Sequence, residues 1–181
     1  GHLISKDLFV NQLIEPAVAS YGKGFSISPL KLAQLHAALA NGGFEVTPHV
    51  TMNFKDPLNK YSRKQFFSSD VSRIVLEWME SVVEKGSGKE AKIDGYRIAG
   101  KTGTSQKAEN GVYTSKKVCS FVATLPVNDP KYVVLVVIDE PSNSYAYGST
   151  VAVPVAKEII ESLIVIEKIP PQNKQEKMIV K

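Results

Sequence analysis

Three runs in the second half of the chain constrain the fold most: "GYRIAGKTGTSQ", "KKVCSFVATLP" and "KYVVLVVIDEP". Each is rich in β-branched or aromatic residues, and each gap holds turn-formers: Asn110-Gly111 in the first and Asn128-Asp129-Pro130 in the second. Gaps this short favour an antiparallel meander over crossover units, which need a dozen or more connecting residues. The third run is apolar on both faces, so it is expected to be covered on both sides.

Helical patterns flank these strands. In "SISPLKLAQLHAALANGG", Ser28 before Pro29 reads as an N-cap and first-turn pair. Leu32, Leu35, His36 and Leu39 recur at helical spacing, and Asn41-Gly42-Gly43 ends the run. A second helix is predicted after Ser68-Ser69. Its apolar stripe is Val71, Ile74, Val75, Trp78, Met79 and Val82, and it stops where Gly86 and Gly88 open a loop. A last helix runs from about Thr150 to Ile166, with Pro154 tolerable in its first turn. Residues 44–67, with Pro48 and Pro57, read as loop with a short strand. The order is helices, three strands, then a helix: an α+β fold with helices packed on an antiparallel sheet. The expected division is a segment of undefined structure at 1–20, one domain at 21–166 and a polar, mobile tail at 167–181.

A chain of 181 residues is long enough to bury one core. Its net charge of +4 comes from scattered lysines, which does not point to nucleic acid. Cys119 is the only cysteine, so no intrachain disulfide can form. It lies in a strand between Val118 and Phe121, the setting of a buried, inert thiol. The apolar runs are too short or interrupted to span a bilayer, and no signal peptide is visible. Gly1-His2 reads as an expression scar, and the chain as a piece of something longer.

The chemistry concentrates in Lys101, Thr102, Gly103 and Thr104. On a strand, Thr102 and Thr104 share one face and can converge on one anion. Gly103 between them lets another backbone approach closely. An exposed edge strand can align an extended peptide, the Thr104 amide can aim at a developing oxyanion, and Lys101 adds a fixed positive charge. These parts suit recognition of a peptide with a free carboxylate, followed by acyl transfer. A Lys-Thr-Gly triplet arises by chance in a chain this long on the order of a few per cent of the time, so alone it decides little.

Several separated stretches decide more. "YGKGFSISPLKLAQLHAALANGG", "GYRIAGKTGTSQ", "SFVATLPVNDPKYVVLVVIDEP" and "YGSTVAVPVAKEI" occur in order. From Tyr21 to about Ile166 the chain resembles the C-terminal part of the transpeptidase domain of class B penicillin-binding proteins, nearest the septal, cell-division type, whose motif set is S-x-x-K, S-D-N and K-T-G. The resemblance implies a serine-type peptidoglycan D,D-transpeptidase that works through an acyl-enzyme and binds β-lactam antibiotics. It implies peptidoglycan stem peptides as substrate, partners in the division machinery, no cofactor, no metal and a periplasmic domain anchored to the inner membrane. Lys101 would organise proton transfer, Thr102 and Thr104 would hold a carboxylate with Gly103 between them, and the Thr104 amide would form half of the oxyanion hole. A module that binds peptide or β-lactam without turnover and a serine β-lactamase-like hydrolase remain as alternatives.

The departures are as informative. No Ser-x-Asn triplet occurs in the chain. Ser28-Pro29-Leu30-Lys31 fits S-x-x-K formally and puts Ser and Lys on one side of a helix. The matching family segment, however, lies downstream of the active-site serine, so Ser28 reads as a cap and the chain as lacking its nucleophile. His2, His36 and His49 are widely spaced, and His36 on an apolar helix face reads as structural. Tyr145 and Tyr147 follow the third strand, where loop packing and substrate contact both stay open. Asp139 and Glu140 end that strand without a facing carboxylate pair. Two family strands that would lie beside the third strand are not in this sequence. The resulting bare edge is expected to lead to strand exchange, a homodimer or aggregation unless something covers it.

Overall fold

A computed structural model describes residues 1, 3–51, 64–109, 111–143 and 145–172. His2, Pro57, Asn110 and the tail beyond Gln172 lie outside them. The chain divides into two compact units, 1–32 and 33–181.

The first unit holds two short helices that periodicity did not indicate, α1 (Lys6–Asn11) and α2 (Ile14–Ala19). Neither buries a residue, which is why no apolar stripe announces them. Ser5 caps α1 by accepting the Leu8 N–H at 3.3 Å. The third helix, α3 (Pro29–Ala40), begins in this unit, and its larger part belongs to the second. Ser28 Oγ accepts the Lys31 N–H at 3.3 Å, the expected cap. The helix ends in a Schellman-type turn: Gly43 N–H donates to the Ala38 carbonyl at 2.8 Å, and Gly42 and Gly43 take φ of 85° and 95°.

In the second unit an isolated bridge joins Phe44 to Gln65 ahead of α4 (Ser69–Lys85), which Ser68 caps. A 3-10 turn (Lys89–Ala91) leads into β1 (Ala99–Glu109), β2 (Val112–Leu125) and β3 (Tyr132–Asp139). All neighbours are antiparallel in the order β1-β2-β3, the expected meander. The first two strands run beyond the stretches quoted for them, because pairing resumes after a shift between Gln106 and Ala108 and continues to Glu109 opposite Val112. After β3, a π-helical turn (Gly148–Ala152) leads into α5 (Val153–Ile166).

Strand alternation divides the core in two. Phe121, Ala123 and Leu125 of β2 with Val134 and Val136 of β3 pack under Ala152 of the π-helical turn and Val153, Ala156 and Ile160 of α5. The opposite face, with Ala99 and Val122, packs against Leu39 of α3 and Leu76 and Met79 of α4. Covering both faces explains the apolar third run. The second cover is nevertheless incomplete, since Val133 and Leu135 are half-buried and Val137 is exposed.

Two expectations need correction. The buried face of α4 is Ser72, Leu76, Met79 and Val83. Val71, Ile74 and Trp78 are exposed instead, Trp78 by 68 %. The helix carries two adjacent apolar rows, and periodicity alone does not say which row faces the sheet. The second correction concerns the tail. Ile169 packs on the first core cluster, its carbonyl accepts the Tyr96 hydroxyl at 3.2 Å, and Arg97 N–H donates to Gln172 Oε1 at 3.1 Å. Residues 169–172 are therefore docked, because one half-buried isoleucine and satisfied backbone groups offset their ordering.

Candidate active site

Among the described residues β1 is an outer strand of the sheet, so one of its edges pairs with no strand of them. Its four singled-out residues pair with β2 in unbroken register: Lys101 with Val122, Thr102 with Phe121, Gly103 with Ser120, and Thr104 with Cys119. Thr102 and Thr104 therefore share the α5 face of the sheet, while Lys101 and Gly103 take the α4 face. Thr104 and Lys101 are exposed, and Thr102 is half-buried.

Each hydroxyl has a partner that the sequence did not single out. Thr102 Oγ1 lies 2.7 Å from Ser87 Oγ, in the loop that ends α4. Thr104 Oγ1 accepts the Gly148 N–H at 2.9 Å. The signals were present but unspecific: a serine between Gly86 and Gly88, and a glycine before the last helix. Gly148 is buried against the strands, and a Cβ there would lie 2.5 Å from both the Gly103 and Ser120 carbonyl oxygens. Only glycine lets the π-turn sit this low over the sheet. At Gly103 a Cβ would meet only the Ser120 hydroxyl. Lys101 Nζ turns back to the Thr102 carbonyl at 2.9 Å, which holds a cation beside the strand rather than on the threonine hydroxyls.

The loop after β3 closes the far side. Lys117 Nζ donates to the Ala146 carbonyl at 3.2 Å and lies 4.6 Å from the centre of the Tyr147 ring. Tyr147 is thus engaged in packing the loop, whereas Tyr145 is 78 % exposed. Asp139 and Glu140 grip Lys107 at 2.7 and 2.8 Å. Their hydrogen bonds hold the Lys107 ammonium above the usual lysine range. Lys116 pairs with Glu109 at 2.8 Å next to them. These charges staple the end of the long hairpin, which accounts for both carboxylates without acid–base work.

The remaining candidates take structural places. Cys119 is fully buried behind Thr104, and burial pushes its thiol pKa up. His36 Nδ1 is buried with no hydrogen-bond partner among the described residues, and burial lowers the pKa to about 4. His49 Nδ1 lies 3.4 Å from the Thr47 carbonyl. Among the described residues no group of three or more His, Cys, Asp or Glu could hold a metal ion. Beyond Ser28, a second S-x-x-K spacing occurs at Ser20-Tyr21-Gly22-Lys23. Ser20 closes α2, and its hydroxyl donates to the Ala17 carbonyl at 2.7 Å.

The family model described as penicillin binding protein transpeptidase domain matches residues 5–161. A peptidoglycan D,D-transpeptidase FtsI homolog of Mesostigma viride is 44 % identical over 90 % of this chain and 31 % of its own length. The apo transpeptidase domain of penicillin-binding protein 3 from Burkholderia pseudomallei superposes with a TM-score of 0.78 at 34 % identity, covering 94 % of this chain and 51 % of that one. The ampicillin complex of penicillin-binding protein 3 from Mycobacterium tuberculosis does so at 0.73 and 25 % identity, over 86 % of this chain and 38 % of that one. The chain thus spans about a third of the curated relative and about half of the solved domain. An outer KTGT strand, an antiparallel sheet with helices on both faces and a match along most of the sequence lead to one conclusion: the chain belongs to the penicillin-binding protein transpeptidase family.

Proposed function

We propose that residues 21–166 are the C-terminal part of the transpeptidase domain of a septal-type peptidoglycan D,D-transpeptidase. The whole enzyme cross-links stem peptides through a serine acyl-enzyme and is acylated by β-lactams. The observation that carries this reading is the outer strand β1, which presents Thr102 and Thr104 on one face beside an unpaired edge. The strand aligns the peptide, the two hydroxyls bind its carboxylate, and the Thr104 amide faces the oxyanion that develops when serine attacks. Lys101, with Gly103 giving backbone access, organises proton transfer to the leaving group.

The nucleophile lies outside these residues in this reading. That is supported by Ser28 and Ser20, whose hydroxyls are engaged with helix backbone. No helix among the described residues is long and apolar enough to cross a membrane. A periplasmic location therefore rests on an anchor elsewhere in the natural protein, where division proteins are its partners. The outer edge of β3 is the place where a strand of a second copy would pair to give a homodimer.

Intact-mass analysis after incubation with a penicillin tests the proposal. No adduct is expected on this chain, and one adduct is expected on the natural protein that carries it, slowed at least a hundredfold by Lys101→Ala. An adduct on this chain that disappears in Ser28→Ala would make Ser28 the nucleophile. No adduct on either protein would leave a module that binds without turnover.

A further inference from the structure

We infer that Lys117 is a positioning residue, which clamps the 145–148 loop so that the Gly148 N–H orients the Thr104 hydroxyl as a donor to a carboxylate. Lys117 and Cys119 are two residues apart on β2, and Thr104 pairs with Cys119, so the Lys117 side chain rises on the same face as Thr104. There its ammonium does two things at once. It donates to the Ala146 carbonyl and covers the Tyr147 ring, gripping the two residues just before Gly148.

Those residues are in turn tied to their neighbours. Ala146 is fully buried and its N–H donates to the Asn143 carbonyl at 3.0 Å. Tyr147 N–H donates to Thr150 Oγ1 at 2.9 Å, and the Tyr147 carbonyl accepts from Thr150 and Val151 at 3.0 Å. Holding Ala146 and Tyr147 therefore holds the Gly148 N–H that follows them.

The consequence is a proton direction. Thr104 Oγ1 spends an acceptor lone pair on Gly148 N–H, which leaves its own proton to donate elsewhere. A carboxylate accepts only, so a threonine already held as donor meets it at a smaller ordering cost than one left to rotate. The bond is a single neutral one to an exposed hydroxyl, where water competes. An external clamp is what keeps it made.

The inference rests on the reading of Thr104 as a carboxylate ligand, and two measurements separate the clamp from that reading. The first is amide hydrogen exchange at Gly148 in this chain. Lys117→Met is expected to speed it roughly tenfold. Lys117→Arg, which keeps both the ring contact and a donor, should restore protection. Exchange unchanged in Lys117→Met overturns the clamp. A rise spread equally over β2 and β3 also overturns it, because that reports general loosening.

The second is binding of a short peptide with a free C-terminal carboxylate and of its C-terminal amide, followed by NMR. Lys117→Met should weaken the carboxylate peptide severalfold and leave the amide unchanged. Equal weakening of both removes the orienting role. A wild-type chain that binds neither overturns the carboxylate half, and the clamp then stands or falls on the exchange result.

Discussion

Gly103 and Gly148 face each other across a backbone contact, yet a methyl group would meet different obstacles at the two positions. At Gly148 it collides with two carbonyl oxygens that belong to paired strands, and neither can turn away. At Gly103 it meets the Ser120 hydroxyl, which can rotate. Gly148→Ala is therefore expected to cost about 1–3 kcal/mol and to break the contact with Thr104, whereas Gly103→Ala stays within about 1 kcal/mol. Urea midpoints of the two variants check the order, and equal losses would refute the packing argument. His36 supplies a second residue-level test. Its pKa falls from 6.5 to about 4 because burial disfavours the imidazolium. The unfolded chain binds the proton more readily, so this contribution to stability is full above pH 6.5 and is lost as pH falls toward 4. Between pH 7 and 4.5 the loss is about 2 kcal/mol, and His36→Gln should lose correspondingly less over the same range. The strand that carries Lys101, Thr102, Gly103 and Thr104, the residues proposed for the site, was legible in the sequence. Ser87, Lys117 and Gly148 were not, because what distinguishes them is a contact made across 15 to 44 residues of chain.

At the scale of elements, the sequence identifies types well and orientations poorly. Turn chemistry specified the meander, since Gly111 at φ 79° and the Asn128-Asp129-Pro130 gap leave no room for a crossover. Capping specified the ends of α3 and α4, where Ser28 and Ser68 accept backbone N–H groups. The rotation of α4 about its axis was not legible. A buried serine, Ser72, stands in its core row, while the one tryptophan of the chain stands in the outer row. The two rows are expected to separate cleanly by substitution. Met79→Ala should cost about 2–5 kcal/mol through the cavity it leaves, and Trp78→Ala under about 1 kcal/mol. Trp78 emission should sit at the red, solvent-exposed position in the folded chain and be quenched freely by iodide. A blue-shifted, protected tryptophan would mean that this row is covered in solution.

On the scale of the whole molecule, the α+β class was legible because periodicity changes from helical to alternating at the glycine-rich break before β1. The closure of the fold was not, because it depends on a polar, proline-containing segment that carries no periodic signal. That segment returns to the entry of β1 over more than 70 residues of intervening chain. Gln172 N–H donates to the Gly95 carbonyl at 2.6 Å, Gln172 Oε1 accepts from Arg97, and Ile169 completes the cluster beneath α5. Arg97 is held from its other side by Glu80 of α4, with two bonds at 2.8 and 2.7 Å in a half-buried setting. Backbone and side chain of this one arginine thus connect the C-terminal segment, the first strand and the helix over the opposite face. Ending the chain at Lys168 removes the half-buried Ile169 side chain and four hydrogen bonds, the fourth being Ile169 N–H to the Ile164 carbonyl, a loss of about 2–5 kcal/mol. Ile169→Ala alone should account for about 1–2 kcal/mol, because that side chain is only partly buried. If thermal unfolding of the shortened chain matched that of the full chain, residues 169–172 would be an ornament rather than a clasp. A loss confined to Ile169 would assign the effect to packing and none to the arginine.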